Sequence, residues 1–148
     1  KFYKSLYSEE LLKKAMKIKL LAFDVDGVLT DGGLYVDQNG NENKRFYAQD
    51  GHGIKILQTL GIKTMIISGR KTDCVNVRGA ELGIDYIVQG SRDKLKSFHD
   101  QNTSTSLDEV CFVGDDTVDI ELLQNTTIEL FNGFSLLHYL SSLLLHDV

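Results

Sequence analysis

Apolar residues fall in short runs along this chain, separated by polar punctuation, and the runs alternate with segments of helical period. Residues 18 to 24, 62 to 67, 86 to 88, 109 to 113 and 127 to 131 are rich in Leu, Ile, Val and Phe. Such runs suit strands covered on both faces. Between them, residues 8 to 17 predict a short helix with Ser8 as N-cap and acids in its first turn. Asp50 is expected to cap a second helix carrying Ile54, Ile56, Leu57 and Leu60 and closed by Gly61. Residues 72 to 82, stopped at Gly83, then 91 to about 100, 116 to 123 and 134 to 145 complete the helical set. Strands alternating with helices predict an α/β fold: a Rossmann-like three-layer sandwich around a parallel sheet with right-handed crossovers. One segment breaks the alternation. Residues 34 to 37 and 43 to 47 flank Asn39-Gly40, a strong hairpin signal. A β-hairpin insertion over residues 33 to 48 is therefore expected within a single domain spanning 1 to 148, with no large cap domain.

Composition narrows the class without naming a chemistry. With 148 residues, 42% apolar and 25% charged, the chain can bury an ordinary globular core without crosslinks. A formal net charge of -5 argues against a nucleic-acid partner held by a basic surface. Nine carboxylates and no lysine or arginine follow Lys96. Cations that grip an anionic substrate must then come from the first two thirds, or from another chain. Cys74 and Cys111 read as free thiols in a reducing, cytoplasmic compartment. Asp24 cuts short the apolar stretch that follows Lys13, Lys14, Lys17 and Lys19, so no secretory signal is expected. The apolar residues 134 to 145 are too few for a membrane span and suit a core or interface helix. No membrane partner is expected.

Chemistry enters at the strand ends. In open parallel sheets ligands bind outside the carboxyl ends of the strands. The first strand delivers Asp24 and Asp26, the second Ser68, Gly69 and Arg70, the third Gln89 with Lys94 beyond it, and the fourth Asp115 and Asp116. Each has a plain structural reading: Ser68 as an N-cap, Lys94 as a solvated lysine, the Asp115-Asp116 pair as a helix start. Their meeting on one edge is what argues for function. Two aspartates at a strand exit repel unless a cation lies between them. Mg²⁺ takes oxygen ligands, which Asp24, Asp115 and a backbone carbonyl near Asp26 can supply. A carboxylate at Asp24 can attack phosphorus. Asp26 would give a proton to the leaving alkoxide and take one from water. The Ser68 hydroxyl and Gly69 amide can hold phosphoryl oxygens, Lys94 can balance their charge, and Gly27 permits close backbone approach.

Asp24-x-Asp26-Gly27-Val28-x-Thr30, Ser68-Gly69, Lys94 and Gly114-Asp115-Asp116-x-x-Asp119, in that order, resemble the four motifs of the haloacid dehalogenase superfamily of phosphatases. Asp31-Gly32, the Asn39-Gly40 hairpin, Asp50-Gly-His-Gly-Ile54, Ser68-Gly-Arg-Lys-Thr72, Gln89-Gly90, Asp93-Lys94-Leu95 and Val113-Gly-Asp-Asp116 resemble its capless subgroup acting on 3-deoxy-D-manno-octulosonate 8-phosphate. The similarity covers residues 18 to 124. It implies a Mg²⁺-dependent sugar phosphatase in lipopolysaccharide biosynthesis, with Asp24 as nucleophile and ligand, Asp26 as acid/base and carbonyl ligand, and Asp115 as metal aspartate. It further implies that Ser68 binds phosphate, Lys94 balances charge, and Asp116 and Asp119 hold the site from behind. Thr30, Gly32, Gly69, Arg70, Arg78 and Gln89 become candidate substrate contacts. The hairpin is expected to join a homotetramer whose neighbours close the site. The subgroup usually has a longer, glycine-rich C-terminal tail bearing an arginine; beyond residue 124 this sequence has Gly133 and no arginine.

Two other readings stand beside this one. The sister group acting on nonulosonate (sialic-acid-type) 9-phosphates tends to carry a glutamate where Arg70 stands, which favours the octulosonate. A non-catalytic assembly domain of phosphatase type should have lost Asp24, Asp26 or Lys94, and all three are present.

Overall fold

A computed structural model describes residues 8 to 101 and 104 to 131. In chain order the elements are α1 (Glu9–Ala15), β1 (Leu20–Phe23), β2 (Tyr35–Val36), β3 (Glu42–Asn43), α2 (Ala48–Thr59), β4 (Lys63–Ser68) and α3 (Asp73–Leu82). They continue with β5 (Tyr86–Gln89), α4 (Lys94–Gln101), β6 (Val110–Gly114), α5 (Ile120–Asn125) and β7 (Ile128–Phe131). The five longer strands form one sheet in the order β5-β4-β1-β6-β7, and every pairing is parallel. This is the expected α/β sandwich. The predicted helix over 134 to 145 lies outside the described residues.

The apolar runs become strands because each has two faces to bury. On one face Leu21, Phe23, Ile66, Cys111 and Val113 pack with Ile54 and Leu57 of α2, Val75 and Leu82 of α3 and Ala15 of α1. Leu20, Ala22, Met65, Ile67, Val110 and Phe112 point the other way, onto Phe98 of α4 and Leu122 and Leu123 of α5. The alternation of strand side chains thus builds two cores from one run. With β1 central, its exit at Asp24 is flanked by the exits of β4 and β6. That places the Asp24, Ser68 and Asp115 segments side by side.

Several boundaries differ from expectation, each for a visible reason. Asp50 does not cap α2: Tyr47 holds the cap position, and Asp50 lies inside the first turn, buried. Ala48 and Gln49 extend the helix upstream, and Gly51 allows it to lie against α3, since a Cβ there would meet Arg78 Nη2 at 2.5 Å. The fourth helix begins at Lys94 rather than at 91. After Asp116 the chain makes a 3₁₀ turn over Thr117–Asp119 before α5. The hairpin is present but shorter, with two residues in each strand, Val36 opposite Glu42 and Tyr35 opposite Asn43. Its turn is organised by Asp37 as much as by Asn39-Gly40. Asp37 Oδ1 accepts from the amides of Asn39 and Asn41, both at 2.8 Å, while Gly40 takes φ 82°. An isolated bridge from Thr30 to Phe46 ties the hairpin base to the loop after β1.

Among the described residues no helix is long and apolar enough to cross a membrane. Neither cysteine is crosslinked; Cys74 is half-buried, and burial pushes the Cys111 thiol up to about 12.

Candidate active site

At the carboxyl edge of the sheet, two carboxylates and one ammonium are packed out of water. Asp24 (6% exposed) follows β1, Lys94 (2%) opens α4, and Asp119 (0%) ends the 3₁₀ turn behind β6. Lys94 Nζ lies 2.7 Å from Asp24 Oδ2 and 2.5 Å from Asp119 Oδ1. The other oxygen of Asp24 accepts from the Val25 amide at 2.6 Å. Asp119 Oδ2 accepts from the amides of Asp115 and Asp116 at 3.0 and 3.2 Å. Both oxygens of Asp119 are thereby spoken for, and its work is to fix Lys94 and the loop that carries Asp115. Asp116 faces the turn instead, accepting from the Thr117 amide at 2.6 Å.

Asp115 completes the cluster. Carboxylate oxygens of Asp24, Asp115 and Asp119 lie within 4.8 Å of one another. One oxygen of Asp115, Oδ1, is buried with no hydrogen-bond partner among the described residues. Burial and the neighbouring charges of Asp24, Asp119 and Asp116 raise its pKa to about 6. Burial also raises that of Asp24, against the pull of Lys94. One lysine does not neutralise so many acids. An orphaned buried oxygen facing an all-oxygen donor set fits a hard divalent cation such as Mg²⁺.

Around this centre lie the remaining candidates. Ser68 is buried at the end of β4, its hydroxyl accepting from the Arg70 amide at 3.3 Å. Thr30 Oγ1 donates to the Val25 carbonyl and accepts from the Gly32 amide, so Thr30 and Gly32 shape the loop after β1. A Cβ on Gly69 would find Ser91 O at 3.5 Å, ordinary contact. Gln89 turns away from the carboxylates. It accepts from the Thr72 amide at 2.8 Å and donates to Asn76 at 2.8 Å, pinning the start of α3. Arg78 is likewise engaged elsewhere, paired with Glu81 at 2.8 Å and 6.0 Å over the ring of Phe46.

Sequence reasoning passed over Lys44 and Glu42. The Lys44 side chain is 1% exposed and bridges Asp26 Oδ1 at 2.5 Å and Glu42 Oε1 at 2.7 Å. Burial lowers the lysine's pKa, but the hydrogen bonds to Asp26 and Glu42 outweigh it and the net shift is upward. Glu42 also takes two bonds from Arg70, Nη2 at 2.6 Å and Nε at 3.2 Å. The Arg70 and Lys44 bonds pull its carboxyl down to about 2. In the sequence Lys44 falls in the predicted second strand of the hairpin and Glu42 just before it, where a charge ordinarily means a solvated face. No local signal marks their partners, which lie 18 and 28 positions away.

No protein-family model matches the chain. It is 41% identical over 119 residues to the 3-deoxy-D-manno-octulosonate 8-phosphate phosphatase KdsC of Escherichia coli K12, over 79% of this chain and 63% of that protein. The chain thus spans less than two thirds of the length of the curated relatives it matches. Among solved structures, the 3-deoxy-D-manno-octulosonate 8-phosphate phosphatase of Moraxella catarrhalis, in complex with magnesium, phosphate and KDO, aligns with TM-score 0.79 at 36% identity, over 88% of this chain and 78% of that one. A structure from Legionella pneumophila placed in subfamily III A of the haloacid dehalogenase superfamily aligns with TM-score 0.80 at 34% identity, over 98% and 91%. These likenesses show the family: the chain belongs to the haloacid dehalogenase superfamily, in its KdsC-type phosphatase group.

Proposed function

We propose that this chain hydrolyses an acidic sugar phosphomonoester, 3-deoxy-D-manno-octulosonate 8-phosphate, in two steps through an aspartyl phosphate on Asp24. The observation that carries the reading is the buried Asp24 carboxylate, held by Lys94 and the Val25 amide, with Asp115 beside it. Asp26, two residues on, has its own cation in Lys44. The substrate is the one for which the relatives in Escherichia coli and Moraxella catarrhalis are named.

Asp24, Asp115 and the Asp26 backbone carbonyl would hold Mg²⁺, which when bound offsets the charge of the phosphoryl group and the carboxylates together. A carboxylate oxygen of Asp24 attacks phosphorus, the bond to the sugar oxygen breaks, and Asp26 gives that oxygen its proton. Asp26 then takes a proton from water, whose oxygen attacks phosphorus and frees Asp24 as phosphate leaves. Lys94 balances charge at Asp24, while Ser68, the Gly69 amide, Thr30 and Gly32 frame the phosphoryl oxygens. Arg70, Arg78 and Gln89 remain candidate sugar contacts. Arg70 sits nearest the site through Glu42, whereas Arg78 and Gln89 would have to leave their present partners.

Phosphate release from the octulosonate 8-phosphate and a nonulosonate 9-phosphate, with Mg²⁺ and with chelator, tests this. Turnover of the first that needs Mg²⁺ and disappears in a folded Asp24→Asn variant is expected. Preference for the second moves the substrate to the sister group, and no turnover of either restores the non-catalytic reading.

A further inference from the structure

Asp26 has to carry a proton to the leaving oxygen, yet β1 and its turn leave its carboxylate without a hydrogen-bond partner of their own. Among the described residues, the side chain hydrogen-bonded to Asp26 is Lys44, reaching in from the hairpin 18 positions away. Lys44 is itself clamped. Its ammonium bonds Glu42 Oε1 at 2.7 Å, and Glu42 is gripped by Arg70, which follows Ser68 and Gly69 in the loop after β4. A chain of ion pairs, Asp26–Lys44–Glu42–Arg70, therefore runs from the loop after β1 through the hairpin to the loop after β4. Its inner member, the Lys44 side chain, is 1% exposed.

Stability alone explains this poorly. A buried ion pair rarely outperforms an apolar pair of the same shape. The hairpin could be docked more simply by the apolar side chains next in line, as Phe46 already is against the main core. What a lysine at 44 does that an apolar residue cannot is hold a carboxylate oxygen at a fixed point.

The geometry points to Lys44 as the positioning residue for Asp26, with Glu42 and Arg70 as its anchor. The hairpin then serves the chemistry directly, by aiming the proton donor. This rests on the acid/base role proposed above for Asp26.

Leaving groups separate positioning from mere structure. A sugar alkoxide needs a proton to depart, whereas p-nitrophenolate leaves as a stable anion. With enzyme in excess, release of the alcohol or phenol in the first turnover reads the first step alone. Lys44→Met is expected to slow release from the sugar phosphate about tenfold or more beyond any effect on p-nitrophenyl phosphate, a fraction of what general acids supply. Lys44→Arg should recover most of that loss. Equal losses on both substrates, or none, overturn the proposal. Asp26→Asn is run alongside. Its own bias against the sugar phosphate confirms the acid, and a lack of bias overturns the acid role and this proposal together. Bias in Asp26→Asn without bias in Lys44→Met overturns Lys44 alone. Should Lys44→Met not fold, Lys44→Met in the Asp26→Asn background leaves two neutral neighbours and is compared with Asp26→Asn. No further loss on the sugar phosphate supports action through Asp26, and a further tenfold loss overturns it.

Discussion

A Cβ on Gly27 would lie 1.8 Å from Asp115 Oδ2, and the residue adopts φ +79°. Both facts come from one need. The turn after β1 passes under the Asp115 carboxylate, which stands beside that of Asp24, and only a residue without a side chain passes there. The sequence shows that glycine follows the aspartates; it does not show which atom approaches, because Asp115 arrives from a strand nearly ninety positions on. Gly27→Ala is expected to displace Asp115 or the turn by about an ångström, a shift that can cost roughly a hundredfold in turnover. Initial rates of phosphate release, beside circular dichroism to confirm folding, check this. A folded Gly27→Ala protein with ordinary rates would show that the close approach is incidental.

Among elements, α2 departs most clearly from its sequence pattern. An aspartate before Gly-His-Gly looks like an N-cap, since glycine is a poor helix former. The helix nevertheless starts earlier and buries Asp50 in its first turn, and Gly51 brings it close to Arg78 and Leu82 of α3. Burial raises the Asp50 pKa from 3.8 to about 6, with Arg78 pulling the other way. Between those values the folded chain keeps a proton that the unfolded chain has lost. The stability Asp50 contributes is therefore full below about pH 4 and gone as pH rises past 6. Asp50→Asn should gain about 1–2 kcal/mol over the parent at pH 7.5 and close to nothing at pH 4. Urea unfolding at the two pH values measures the difference, and an equal effect at both would mean that Asp50 is not titrating. The strands were more legible than the helix ends. A run such as residues 20 to 23 is apolar on both faces wherever it sits, whereas α4 starts where Asp93 Oδ1 accepts from the Lys96 amide, the Ser91 hydroxyl having turned to the Asp93 carbonyl and to Ser97.

For the molecule as a whole, the hairpin is the part whose form its own residues justify least. Two strands of two residues are too little to stand alone in water. The Thr30–Phe46 bridge and the Lys44 and Glu42 ion pairs fasten its inner side. Before its turn, Leu34, Tyr35 and Val36 stand at 61%, 46% and 61% exposure, an apolar run at the solvent. That contrast explains what the sequence could and could not convey. Alternation around Asn39-Gly40 announced a hairpin, and the family resemblance implied a contact, but the buried charges inside it were invisible because their partners are distant in the chain. Apolar residues exposed side by side are most simply covered by another protein surface. Under the homotetramer that the family resemblance implies, that surface belongs to a second copy of this chain. Leu34→Ser with Val36→Ser removes exposed apolar surface while Lys44, Glu42 and the carboxylate cluster keep their own residues. Light scattering is expected to show the parent as an oligomer and the double variant at a smaller mass. An unchanged mass would take the interface away from the hairpin and leave its ion pairs to Asp26 as the reason it is there.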